Sequence, residues 1–79
     1  MGRKRRTTSK VTNRLRELRH AHGEMTQAQL ATRIGVTRQT IIAIERGRYS
    51  PSLEMAFQMA SVFDVDLGEV FAYDEEEPG

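Results

Sequence analysis

Arg38, Gln39, Ile42, Ala43 and Arg46 recur at offsets that set them side by side along one face of a helix. A guanidinium and a carboxamide at the leading end of such a face are planar forks of hydrogen-bonding groups, matched to the guanine and adenine edges that a major groove exposes. The same pattern also suits the solvent-facing side of an ordinary helical hairpin, and spacing alone leaves both readings open. Other chemistries find less support. His20 and His22 are two positions apart, which turns them in separate directions on a helix, whereas shared metal ligands stand three or four apart. No metal site and no cofactor are expected. Ser, His and Asp occur without a nucleophile motif to link them, so no catalytic role is expected.

That face needs a helix and a support. Thr37 can cap the helix, Ile41 and Ile44 form its opposite side, and Val36 stands just ahead of the cap as a hydrophobic staple. Upstream, Ala28, Leu30, Ala31 and Ile34 recur at helical spacing, and Thr26 with Gln29 three residues on forms a capping box. Gly35 follows the last apolar residue, where a left-handed backbone commonly ends a helix. Two helices joined by a turn of about three residues cross steeply, which pushes the second outward as a ridge. Before this pair, Val11, Leu15, Leu18 and His22 predict a first helix from about Val11 to His22, with Ser9 or Thr12 as its cap. After it, Gly47 and Ser50-Pro51 close the ridge helix and prepare a new start. A fourth helix from Ser52 to Phe63 is predicted to turn Leu53, Ala56, Phe57, Ala60 and Phe63 inward, with Met55, Met59 and Val62 widening that stripe. Asp66 can cap a short fifth helix containing Leu67, Val70 and Phe71.

The chain has 79 residues and no cysteine, which allows one small domain without disulfides or thiolate metal sites, and leaves no obvious small-molecule pocket. No apolar run reaches membrane-spanning length and none follows the basic start, so a cytoplasmic protein without membrane association is expected. The net charge of +1 conceals a strong asymmetry. All 12 Lys and Arg lie in residues 1–48 with three acids, a net +9, while residues 49–79 carry eight acids and no Lys or Arg. The first part suits a polyanion and the second avoids one. We divide the chain into a basic arm, residues 1–10, a domain, residues 11–73, and an acidic tail, residues 74–79. The arm reads equally as a phosphate-tracking extension and as a solubilising segment; the tail reads chiefly as solvated charge.

Together with GRYSPSLEMAFQMASVFDVDLGEVF, the central segment resembles the phage-repressor or Xre-type helix-turn-helix family of transcriptional regulators. The resemblance is carried by MTQAQLA, IGVTRQTI, IERG and PSL, in that order, and covers about Asn13 to Tyr73. It implies an all-α, compact five-helix repressor-like DNA-binding domain whose helix-turn-helix is formed by helices 2 and 3. It further implies contacts with the bases of double-stranded DNA from Arg38, Gln39, Ile42 and Ala43, with Ile42 exposed to meet thymine methyl groups. Thr26, Gln27, Thr37, Thr40, Arg46, Arg48 and Tyr49 would touch the DNA backbone or support those that do, Gln27 by steadying Arg38. Arg19 and Glu45 would form a partly buried pair tying the first helix to the end of the third. Relatives usually pair through the acidic end, which makes Met59, Val62, Leu67, Val70, Phe71 and Tyr73 candidates for a homodimer interface on an inverted-repeat operator, with repression as the outcome. The alternative implied by the same fold is a protein-interaction module such as an antitoxin or bridging factor. Two positions depart from the family pattern: Glu24 lengthens the first interhelical connection, leaving Met25 to fill its apolar slot, and Asp64 stands where a Gly is usual.

Overall fold

A computed structural model describes residues 10–73; the expectations for the basic arm up to residue 9 and for the acidic tail from residue 74 lie outside the described residues. The elements run β1 (Val11–Asn13), α1 (Leu15–Ala21), α2 (Gln27–Ile34), α3 (Arg38–Glu45), α4 (Leu53–Phe63), α5 (Leu67–Val70) and β2 (Phe71–Tyr73). The five helices are therefore accompanied by a two-stranded antiparallel sheet, and the fold is mostly helical rather than all-α. Val11 faces Tyr73, Thr12 faces Ala72 and Asn13 faces Phe71.

This ladder corrects the first helix and the fifth. Val11 and Thr12 belong to a strand, so α1 begins only at Leu15 and Thr12 does not supply its cap, while the alternative cap Ser9 lies outside the described residues. Instead the Asn13 Oδ1 accepts from the Leu15 N–H at 3.1 Å. At the other end Phe71 leaves α5 to enter β2, and the Asp66 side chain makes no capping hydrogen bond. The β-branched Val-Thr and the aromatics of Phe-Ala-Tyr favour extended backbone, and pairing satisfies amides that a frayed helix end would leave open.

The central helices form where local chemistry asks for them. Thr26 accepts from the Gln29 N–H at 3.0 Å while Gln29 Oε1 takes the Thr26 N–H at 2.8 Å, a closed capping box. Gly35 adopts φ 75°, and the Val36 N–H then returns to the Ala31 carbonyl at 2.9 Å, ending α2 and aiming the chain into α3. Thr37 caps α3 by accepting from the Thr40 N–H at 3.2 Å, and Ser52 caps α4 through the Met55 N–H at 3.1 Å. Asp64 takes φ 57° without a glycine and turns α4 towards α5.

Leu15, Leu30, Ile41, Ile44, Met59, Phe63 and Val70 are the largest fully buried side chains and draw α1 to α5 onto one core. Met25 joins them from the α1–α2 connection. Glu24 reaches φ 57°, beside a left-handed Gly23, so the extra residue is absorbed by two left-handed positions and the core is undisturbed. Three expected core positions differ. Leu53 and Phe57 are 67% and 53% exposed, because Ala56, Met59, Ala60 and Phe63 define the buried side of α4 and these two lie on its flank. Ala28 is also exposed, since Leu30, Ala31 and Ile34 carry the packing of α2. Among the described residues no helix is long and apolar enough to cross a membrane.

Candidate nucleic-acid interface

The geometry builds outward from Arg19. Its Nε donates to Glu45 Oε2 at 2.7 Å and its Nη2 to Glu45 Oε1 at 3.1 Å, while Nη1 reaches the Met25 carbonyl at 2.8 Å. Both side chains are 9% exposed, so a forked, charge-assisted pair inside the protein joins α1, the α1–α2 connection and the end of α3. Glu45 Oε1 also accepts from Gln27 Nε2 at 3.1 Å, and Gln27 Oε1 lies 3.5 Å from Arg38 Nη2, a long contact. Arg19, Glu45, Gln27 and Arg38 thus form a graded chain that starts buried and ends in solvent at the first residue of α3.

Arg38 and Gln39 are exposed at that leading end, as expected. Ile42 is half-buried rather than exposed, since long side chains at 38, 45 and 46 flank it one turn away, and Ala43 is half-buried beside it. Thr26 and Thr37 are exposed caps, and the Thr40 hydroxyl lies 3.1 Å from that of Thr37. Arg46 is the exposed C-cap of α3, and the Arg48 N–H returns to the Ala43 carbonyl at 2.9 Å, which folds Arg48 and the half-exposed Tyr49 beside the helix end.

Arg14, Arg16, Gln27, Arg38 and Arg46 line one concave surface between α1, α2 and α3. Among the described residues the acids along it already have bases: Arg14 Nε binds Glu17 at 2.9 Å, His20 Nδ1 meets Glu24 at 2.8 Å, and Glu45 is held by Arg19. Hydrogen bonding from Glu17, then its charge, raises the pKa of Arg14 further above its ordinary range. Arg16, Arg38 and Arg46 have no carboxylate partner among the described residues, so the surface keeps a surplus of positive charge around exposed hydrogen-bonding forks. Such a surface can hold phosphates with its cations while the α3 ridge meets base edges.

Two sequence assignments change. Met59 and Val70 are both 0% exposed within the core, so neither has surface to offer a second copy. Val62, Leu67 and Phe71 are half-buried, and Tyr73 is 60% exposed with Lys10 Nζ 5.3 Å from its ring centre. The sequence reading missed Asn13, whose Nδ2 donates to the Ile44 carbonyl at 3.0 Å. An Asn ahead of a helical run is a recognisable capping signal, but its reach to α3 has no local signature.

A helix pair joined by the short turn Gly35 to Thr37, with exposed hydrogen-bonding forks opening the second helix, is the architecture of helix-turn-helix proteins. The helix-turn-helix family matches residues 15–70, and the chain belongs to that family in its Xre-like form. An uncharacterized HTH-type transcriptional regulator of Methanocaldococcus jannaschii is 48% identical over 67 residues, spanning 85% of this chain and 100% of the relative. The uncharacterized HTH-type transcriptional regulator YgzD of Bacillus subtilis is 42% identical over 66 residues, 84% of this chain and 98% of its own. Among solved structures, the restriction-modification controller protein C.AhdI of Aeromonas hydrophila superposes with a TM-score of 0.63 at 36% identity, covering 70% of this chain and 78% of that one. A protein of Bacteroides fragilis reaches a TM-score of 0.68 at 26% identity over 78% of this chain and 98% of its own. The chain is a transcriptional regulator with a helix-turn-helix DNA-binding fold.

Proposed function

We propose that the chain binds double-stranded DNA sequence-specifically, with α3 in the major groove, as a homodimer on an inverted repeat, and that it represses transcription from within the cytoplasm. The observation that carries this reading is Arg38, exposed at the leading end of α3 within 3.5 Å of Gln27 Oε1, where Gln27 is itself held by Glu45 of the buried Arg19–Glu45 pair. An exposed guanidinium there can present its planar fork to the O6 and N7 of a guanine, which favours discrimination. Gln39 would take an adjacent adenine, and Ile42 and Ala43 would contribute apolar contact further along the groove. Arg46, Arg48 and Tyr49 would grip the flanking backbone with support from Thr26, Thr37 and Thr40. Pairing of two copies is supported by apolar surface the core leaves over: Val62, Leu67, Phe71 and Tyr73, with Leu53 and Phe57 added because they are exposed. A dimer covering a promoter would exclude the polymerase by bulk alone, and repression needs nothing more.

Selection of bound duplexes from a random pool tests the whole reading. The expected motif is palindromic, with half-site centres about 10 base pairs apart. A motif without twofold symmetry would remove the dimer. Absence of any enriched motif, together with a tight protein partner, would favour the interaction-module alternative.

A further inference from the structure

Asn13 makes two side-chain hydrogen bonds that serve different elements. Its Oδ1 accepts from the Leu15 N–H at 3.1 Å and opens α1, while its Nδ2 donates to the Ile44 carbonyl at 3.0 Å, in the last turn of α3. Its backbone pairs with Phe71 in the ladder, and the next residue, Arg14, gives its N–H to the Val70 carbonyl at 2.9 Å. One carboxamide therefore stands where the ladder, α1 and the far end of α3 meet. The Ile44 carbonyl is among the last of α3, which have no partner within the helix; the Gly47 N–H reaches it at 3.0 Å, and Asn13 takes its remaining capacity.

We propose that Asn13 is a positioning residue for DNA recognition, fixing the distal end of α3 and with it the tilt at which Ile42 and Ala43 approach the base pairs. The inference rests on the reading that α3 meets bases. Glu45 also ties this end of α3 to α1, through its buried, forked side-chain pair with Arg19. A bond to the main-chain carbonyl constrains the helix itself. Base-edge contacts weaken steeply when donors and acceptors misalign, whereas flexible arginines can follow a phosphate. Loosening α3 therefore costs sequence discrimination before it costs overall attraction.

Asn13→Ser separates the two bonds. A serine hydroxyl can still accept from the Leu15 N–H, but it is too short to reach the Ile44 carbonyl. Asn13→Asp makes the same separation with a longer side chain that has no donor. Affinity is measured for the selected operator and for a scrambled duplex of equal length, with both variants verified as folded by circular dichroism. The ratio of specific to nonspecific affinity is expected to fall about fivefold in each variant, the lower end of what one well-aligned base contact is worth, with a salt slope unchanged in the charge-neutral Asn13→Ser. Retention of the parent ratio in Asn13→Ser and Asn13→Asp, with loss only in Asn13→Ala, would assign Asn13 to the α1 cap alone and overturn the proposal. So would an equal loss on both duplexes in the charge-neutral Asn13→Ser. A parent protein that itself shows no preference overturns the DNA-reading proposal beneath it, a result distinct from either.

Discussion

Arg19 joins α1, the α1–α2 connection and the end of α3, and its burial sets what its loss would do. With both side chains of the pair 9% exposed, Arg19→Met leaves the Glu45 carboxylate without its countercharge inside the protein. The expected cost is about 3–5 kcal/mol, a large share of the stability of a small domain. Replacing both partners together with apolar residues is expected to cost less than the single change, because no orphaned charge remains. Urea titrations of the three variants check this, and additivity of the single substitutions would contradict it. This pair was legible because both residues border apolar stripes and fall on a known family pattern. Asn13 was not, since its partner carbonyl belongs to Ile44, 31 positions away, and a main-chain group leaves no mark in the sequence.

Among the elements, α2, α3 and their turn could be read with little error because each boundary is decided locally, by Thr26 with Gln29, by Gly35 and by Thr37. Gly35 offers a clean test of that locality. A Cβ added there would meet nothing within 4 Å, so Gly35→Ala probes the left-handed φ of 75° alone. A loss of about 1–2 kcal/mol is expected, with a melting midpoint lower by about 4–8 °C for each kcal/mol. An unchanged midpoint would mean that the turn relaxes into another conformation. The strands β1 and β2 were missed for the opposite reason. Three residues are too few for a period to declare itself, the partner lies 60 positions away, and Val11 happens to stand four before Leu15, which imitates a helical stripe. In α4 the apolar stripe was wider than the core requires, and only packing could decide that Met59 faces in while Leu53 and Phe57 stay out.

For the whole molecule, the ladder turns a separation in sequence into a neighbourhood in space. Val11 lies opposite Tyr73 and Lys10 sits over the Tyr73 ring, so the two ends of the described residues meet at one edge. We propose that the acidic residues after 73, joined to the same small domain, compete with an outside polyanion for the basic residues before 10. Neutralising Asp74, Glu75, Glu76 and Glu77 is expected to strengthen low-salt binding to nonspecific DNA and steepen the salt slope; the effect should vanish when Arg3, Lys4, Arg5 and Arg6 are neutralised as well. Unchanged low-salt binding would dispose of that competition. The charge segregation behind it was plain in the sequence, whereas the shared edge depended on the ladder. The proposed function stands on α3 inspecting bases while its surroundings hold the backbone. The direct measurement is to titrate the selected operator, and its single-base-pair variants, with Arg38→Ala and Arg48→Ala at several salt concentrations. Arg38→Ala is expected to lose about 1–3 kcal/mol of discrimination at one base position, and Arg48→Ala to weaken every duplex alike and lower the salt slope by about one. Identical behaviour of the two variants would contradict the account.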